Sequence, residues 1–365
     1  MKPILLVLSG GGIRAMAFHA GILRFLAERE ALERVSNISS VSGGSLVVGL
    51  LMHLNGNRWP SSEQYLNTSL AQLRKMLTTT SLEVGICREL KKPSNWKYAL
   101  SRANVLARAI ENTWGIHSTL DELPTTPSWS INATTAETGK RFRFKGGELR
   151  DWVLGSAQTH GFALSDAMAV SAAFPGLIGP YVLNCSEYKW DLPIYQVNEN
   201  TRPANERFKK IHLYDGGVYD NLGLEAFFDA GRGPKPDMNG TIVVSDAGAP
   251  LPTGFDLGKF NIFRLKHVAD IMSDQVRSLR VRGLVAYALK VPGNAAYLRI
   301  GSTAEEFSKQ FQISCPQGDW MTQKQTSSAS TFPTRLMQLT HESFDMLERH
   351  GYEAAAVGTA VFQFV

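Results

Sequence analysis

Short apolar runs rich in β-branched residues occur at 3–8 (PILLVL), 37–41 (NISSV), 129–134 (WSINAT), 141–144 (RFRF), 210–214 (KIHLY), 241–247 (TIVVSDA) and 296–300 (AYLRI), and each reads as a strand. Between them, apolar positions recur at helical spacing over 13–29, 45–54, 62–77, 96–114, 262–290 and 333–349. This alternation predicts an α/β fold, a largely parallel central sheet with helices on both faces in three layers. Ligands of such sheets bind beyond the carboxyl ends of the strands. Three polar stretches, 80–95, 184–208 and 321–332, read as loops or insertions, and no internal repeat is visible. None of the three is long enough to separate domains.

Composition changes this picture little. The 365 residues are 44% hydrophobic and 19% charged, an ordinary globular balance. No run approaches the apolar length of a spanning helix, and the first residues carry no cleavage-site pattern. Cys87, Cys185 and Cys315 are odd in number and lack metal-ligand spacing, so buried thiols in a reducing compartment are expected rather than a disulfide framework. The expected location is the cytoplasm.

Charge adds a feature. The formal net charge is +5, and Arg74 to Arg108 alone holds eight basic residues against Glu83 and Glu89. Trp96, Tyr98 and Trp114 are interleaved with them. A solvated helical face is the plainer reading; the functional one is peripheral contact with an anionic lipid surface. No nucleic-acid-binding motif accompanies the charge, so none is expected as a partner.

Candidate chemistry starts where the first strand runs into SGGGIRAMAFHAGIL, residues 9–23. Gly10, Gly11 and Gly12 leave backbone N–H groups bare at the opening of a helix, a site that suits an anion. Gly11 and Gly12 are the best-placed donors, with Arg14 adding positive potential. Gly10-x-Gly12-x-x-Ala15 also meets a relaxed dinucleotide fingerprint, but that fingerprint needs an acidic residue at the end of the second strand. SVSGGS stands there instead, so neither a dinucleotide nor another cofactor or metal is expected.

In that segment a β-branched run halts at Ser42, two glycines follow, and a helix resumes. A strand, sharp turn and helix of this kind exposes a serine hydroxyl as a nucleophile, although the elbow signature G-x-S-x-G reads here Ser40-Val41-Ser42-Gly43-Gly44. Ends of neighbouring strands lie about 5 Å apart, so hydroxyl and amide trap would share one cleft, as acyl transfer requires. Serine needs a base, yet none of the eight histidines stands in a triad context, and His212 reads as a satisfied sheet residue. Asp215 ends the same strand as His212, followed by Gly216 and Gly217; the plain alternative is an Asp-Gly turn. Asp220 and Asn221 read as a helix cap.

These motifs, in this order, resemble the patatin-like phospholipase family: Gly10-Gly11-Gly12-Ile13-Arg14, the elbow at Ser42 and the Asp215-Gly216-Gly217 turn. INATTAETGKRFRF (131–144) resembles a strand pair of bacterial members, and AMAVSAAFPGL (167–177) resembles their A-x-x-S-x-A-x-P segment, whose Ser171 reads as structural. The matches span 5–223, about 60% of the chain. The resemblance implies a patatin-like fold, with a catalytic core over 3–228 carrying insertions near 56–127 and 184–208 and a part over 229–365 completing the same domain. It also implies a lipid acyl hydrolase in which Ser42 attacks an ester carbonyl, Asp215 accepts its proton, and the glycine loop holds the oxyanion. Ser40 stands where the first elbow glycine is usual and Ala15 replaces a glycine; both are small, so slight crowding is expected. A carboxyl with an ordinary pKa matches a serine proton poorly, so a dry cleft should raise its basicity. A lipid-binding protein with a vestigial dyad is the alternative. The sequence leaves open the acyl position, the headgroup, any activator, and whether 80–127 forms a lid.

Overall fold

The computed structural model describes residues 2–98, 100–175, 178–193, 201–251, 253–254 and 263–365. Positions 194–200 of the 184–208 insertion, Gly176 and Leu177 of the small-residue segment, and residue 262 at the start of a predicted helix lie outside them.

Five parallel strands form the centre of an 11-stranded sheet, counted among the described residues: β1 (Ile4–Leu8), β2 (Val35–Ser40), β3 (Ser128–Thr135), and, on the other side of β1, β12 (Thr241–Asp246) and β13 (Ala295–Arg299). Both faces of these strands are covered, which is why β1 is buried at every position. An antiparallel extension follows β3: β4 (Arg141–Lys145), β5 (Glu148–Asp151), β6 (Gly155–Gln158) and β8 (Trp190–Asp191). Two further strands, β7 (Tyr181–Asn184) and β9 (Lys210–Asp215), pair with each other, and β9 also pairs with β3. β10 (Phe228–Asp229) and β11 (Gly233–Pro234) form a separate small hairpin.

Helix α1 (Gly12–Ala27) connects β1 to β2, and the helix Phe263–Lys290 connects β12 to β13 in the opposite direction along the sheet. Right-handed crossovers put these two helices on opposite faces, which gives the three layers. The C-terminal helix His341–Phe362 lies on α1 at backbone contact: a Cβ on Gly21 would sit 1.8 Å from Glu348 O, and one on Gly351 1.9 Å from Phe18 O. Among the described residues no helix is long and apolar enough to cross a membrane.

All seven predicted strands are present, and the short outer strands β5 to β8 add to them. The helix predicted at 333–349 instead runs from His341 to Phe362, because Thr340 caps it by accepting the Ser343 N–H (3.1 Å) and an alanine-rich stretch prolongs it. The polar stretches 80–95 and 321–332 contain the helices Leu82–Leu90 and Gln323–Ser330, each opened by a hydroxyl cap, Ser81 and Thr322. The predicted 96–114 helix begins only at Arg102, after a 3-10 turn over Pro93–Tyr98.

Candidate active site

A strand has two edges, and the way β3 uses them brings Ser42 and Asp215 together. β4 takes one edge at Ile131–Thr134. The other edge is shared end to end: β2 pairs with Ser128–Ile131, and β9, running the opposite way, pairs with Ala133–Thr135. β2 and β9 therefore meet head to head, Ser40 opposite Ile131 and Asp215 opposite Ala133. The aspartate arrives from an antiparallel strand facing the elbow rather than from the next strand in a parallel row.

Ser42 sits at φ 51°, ψ −120°, capping α2 (Gly43–Leu54). A non-glycine residue there is strained by about 1–3 kcal/mol and needs its surroundings to hold it. Ser171 does so: its carbonyl and its hydroxyl accept the Ser42 N–H at 3.1 and 3.0 Å. The Ser171 hydroxyl also donates to Asn132 O (2.7 Å) and contacts Ser45 Oγ (2.8 Å). Its carbonyl receives the Gly216 N–H (3.4 Å), and Ala173 O receives the Asp215 N–H (3.0 Å). The small-residue segment thus ties elbow and aspartate to one support, and Ser171 is structural with respect to both. Ser40, in place of the usual glycine, is buried without crowding; Trp129 Nε1 donates to its hydroxyl (2.7 Å), which contacts Ser45 Oγ (2.8 Å).

The Asp215 side chain is buried, with 3% of the residue exposed. Burial is the largest influence on its carboxyl and raises the pKa to about 6; the Gly217 N–H and the Ser42 hydroxyl act against it. The Gly217 N–H donates to Oδ1 at 2.7 Å, and Thr134 Oγ1 donates to the Asp215 carbonyl at 3.0 Å. The Asp215 carboxyl thus lies in a dry environment. No histidine acts on this carboxyl: His212 pairs with Glu137 (2.6 Å), and His19, lowered to about 4 by burial, bridges Ser245 Oγ and Ser9 O.

The glycine turn divides into used and free amides. Gly10 N–H donates to Asn221 O (3.0 Å) and is spent. Ile13 N–H donates to Arg335 O (2.9 Å). The N–H groups of Gly11, Gly12 and Gly43 have no acceptor among the described residues. Arg14 turns inward: 2% exposed, it donates from Nε to Ala247 O (3.1 Å) and from Nη1 to Phe332 O (2.6 Å), while its Nη2 lies 3.1 Å from where a Gly11 Cβ would be. Two carbonyls from distant segments explain this inward turn, which the neighbourhood of Arg14 in sequence did not reveal. Burial lowers the Arg14 pKa to about 10, opposed by Asp246.

Sequence reasoning also missed a strap over this turn. Leu336 N–H donates to Glu83 Oε1 (2.8 Å), and Leu336 O accepts from Leu82 N–H (3.1 Å), one residue from the Arg335 carbonyl that caps Ile13. Asn221, read as a cap, supplies its carbonyl to Gly10 and sets its side chain between Gly10 and Gly217. No motif announces the strap, because its contacts are made by main-chain atoms. Among the described residues no group of three or more His, Cys, Asp or Glu side chains is placed to hold a metal ion.

Elbow and glycine turn touch through bare backbone. A Cβ on Gly43 would lie 2.2 Å from Gly12 O and 2.9 Å from Gly12 N. Gly43→Ala is therefore expected to push the two turns apart and to lower stability by about 1–3 kcal/mol. Urea denaturation checks this, and an unaltered midpoint would reveal slack between the turns.

A family model described as Patatin-like phospholipase matches residues 6–228. The fold is similar to that of human GIVD cytosolic phospholipase A2, with a TM-score of 0.57 at 14% identity over 100% of this chain and 62% of that one. The same human protein in complex with methyl gamma-linolenyl fluorophosphonate gives a TM-score of 0.53 at 16% identity, over 100% and 58% of the two chains. The chain thus spans about three-fifths of the length of those structures, and at such identities the likeness is one of fold. No curated protein matches the chain.

Proposed function

The chain belongs to the patatin-like phospholipase family, and from that membership we propose that it is a serine lipid acyl hydrolase acting on acyl esters of glycerophospholipids, with Ser42 as nucleophile and Asp215 as base. The observation that carries this reading is the meeting of β2 and β9 on one edge of β3, Ser40 opposite Ile131 and Asp215 opposite Ala133, with the Asp215 carboxyl buried and its pKa raised by that burial to about 6. An ordinary surface aspartate is too weak a base for a serine proton; one held near 6 is better matched to neutral pH.

In this reading Ser42 Oγ attacks the ester carbonyl carbon while its proton passes to Asp215. Negative charge develops on the carbonyl oxygen, where the free N–H groups of Gly11, Gly12 and Gly43 supply donors at the start of two helices. Gly10 supports that turn with its N–H spent on Asn221 O, and the Arg14 guanidinium adds positive potential beside Gly11. Collapse expels the alcohol, which takes the proton from Asp215. Water then attacks the acyl-serine with Asp215 again as base, releasing the fatty acid and restoring both side chains.

The same reading places a membrane surface against the basic segment. Arg74 is paired with Asp345 (2.7 Å) and Lys92 with Glu89 (2.7 Å), but Lys75, Arg88, Lys91 and Lys97 are exposed. Trp96 and Leu100 stand 65% and 92% exposed beside them. Leu100 O lies 3.6 Å from where a Gly179 Cβ would be, so this strip adjoins the segment that leads on from Ala173 below Asp215. Basic headgroup contacts flanking exposed apolar side chains suit an interfacial enzyme.

Two measurements test the proposal. Because the base must be ionised, kcat/KM for a soluble short-chain ester is expected to fall tenfold per pH unit below an apparent pKa of about 6 and to level off above it. An acid limb at the ordinary aspartate value would take Asp215 out of the role. A fluorophosphonate probe is expected to label Ser42, since only an activated serine reacts; an unlabelled chain would favour a lipid-binding protein with an idle dyad.

A further inference from the structure

One face of the antiparallel extension is cationic to a degree that the hydrolase reading does not use. Along β4, Phe142 and Phe144 are buried, whereas Arg141, Arg143 and Lys145 alternate onto the other face. The register sets Arg143 directly opposite Arg150 on β5. Side chains so placed share one face with Cβ atoms about 5 Å apart, and like charges in that position destabilise a sheet. Arg141 stands on the same face, about 7 Å along β4 from Arg143.

Lys235, just past β11, joins this group: burial, and after it Arg141, lowers its ammonium pKa to about 8. Burial, then Arg141 and Arg150, lowers the Arg143 guanidinium to about 10. The acids nearby do not neutralise the cluster. Glu225 and Asp220 face Arg141 from a distance but are engaged by Arg280 at 2.8 and 3.6 Å; Glu148 lies across from Lys145, and Asp229 lies near Lys235. The side chains of Arg141, Arg143, Lys145, Arg150 and Lys235 close no hydrogen bond or ion pair among the described residues. Arg141 Nη1 is shielded from solvent and has no acceptor. A shielded, unpaired guanidinium beside a repelling arginine pair costs stability unless an anion fills the space between them.

We propose that this face is a binding site for an anion carrying at least two phosphate groups, held by Arg141, Arg143 and Arg150 with Lys145 and Lys235 at its edge. A guanidinium grips one phosphate through two parallel N–H groups, so three of them spread over two strands suit more than one phosphate. The site is separate from the ester-cleaving centre and does not depend on the chemistry of Ser42. It is nonetheless one strand away. Asn132 pairs with Arg143 and Thr134 with Arg141 across the β3–β4 ladder, while Asn132 Nδ2 donates to Ser40 O (2.9 Å) and Thr134 Oγ1 to Asp215 O (3.0 Å).

The test titrates sodium pyrophosphate into the full chain at constant ionic strength, followed by calorimetry. One saturable site is expected, weakened about tenfold or more in Arg143→Gln and in Arg150→Gln. Without ligand, each variant is expected to resist urea at least as well as the parent chain, because a repulsion has been removed, so lost binding does not reflect lost folding. A second arm sediments the chain with phosphatidylcholine vesicles containing cardiolipin, whose headgroup carries two phosphates. Arg143-dependent pyrophosphate binding makes the occupant a free polyphosphate. Arg143-dependent vesicle binding alone makes it a lipid headgroup. Absence of saturable binding, or equal binding by parent and variants in both arms, overturns the site.

Discussion

Replacing Ser42 with alanine is expected to lower ester turnover by at least about 10⁴-fold, the scale on which a lone nucleophile carries hydrolysis. The more revealing variant is Ser42→Gly. Ser42 holds φ 51°, ψ −120° because Ser171 grips its N–H and α2 begins at the next residue. Glycine reaches that conformation without a Cβ clash, relieving about 1–3 kcal/mol of strain, against which its greater freedom when unfolded costs about 0.5–1 kcal/mol. Ser42→Gly should therefore be inactive and more stable than the parent by about 1 kcal/mol. Urea denaturation of parent, Ser42→Ala and Ser42→Gly measures this, and a glycine variant less stable than the alanine one would mean that the elbow stores no strain.

Asp215→Asn is expected to reduce turnover by about 10³–10⁴-fold, since the amide cannot take the serine proton, while raising stability above neutrality. The direction follows from the raised pKa. An unfolded chain gives up this proton at an ordinary carboxylate pKa of 3.8, whereas the folded chain holds it up to about 6. Between those values the folded state binds more protons, so stability falls as pH rises through the window, and the full penalty is present above it. Two pKa units correspond to about 3 kcal/mol. Asparagine carries no charge there and can still accept the Gly217 N–H. Denaturation midpoints for parent and variant should nearly coincide at pH 4 and separate at pH 8 in favour of the variant; a gap that does not change with pH would place the carboxyl in a wetter setting.

The central strands were legible because a strand covered on both faces reads as a near-continuous apolar run, as Ile4–Leu8 of β1 and residues 242–244 of β12 do. The glycine turn, the elbow and the Asp215 turn were legible because each needs small residues at fixed places. What surrounds them was not. That β9 abuts β2 along one edge of β3 is a matter of which strands pair, and no local pattern encodes it. Gly10 and Arg14 carry the motif, yet their hydrogen-bonding groups are occupied by carbonyls of Asn221, Ala247 and Phe332, all more than 200 positions away in sequence. The helices Leu82–Leu90 and Gln323–Ser330 were hidden by polar outer faces and betrayed only by their serine and threonine caps.

The strap has a bearing on how far the reacting centre can be separated from the remainder of the chain. Residues 6–228 contain every side chain assigned to the chemistry. The carbonyl above the first turn of α1, however, is contributed by Arg335, and β12 closes the edge of β1 that would otherwise lie open. An excised fragment ending at 228 would lose that roof and that neighbour together.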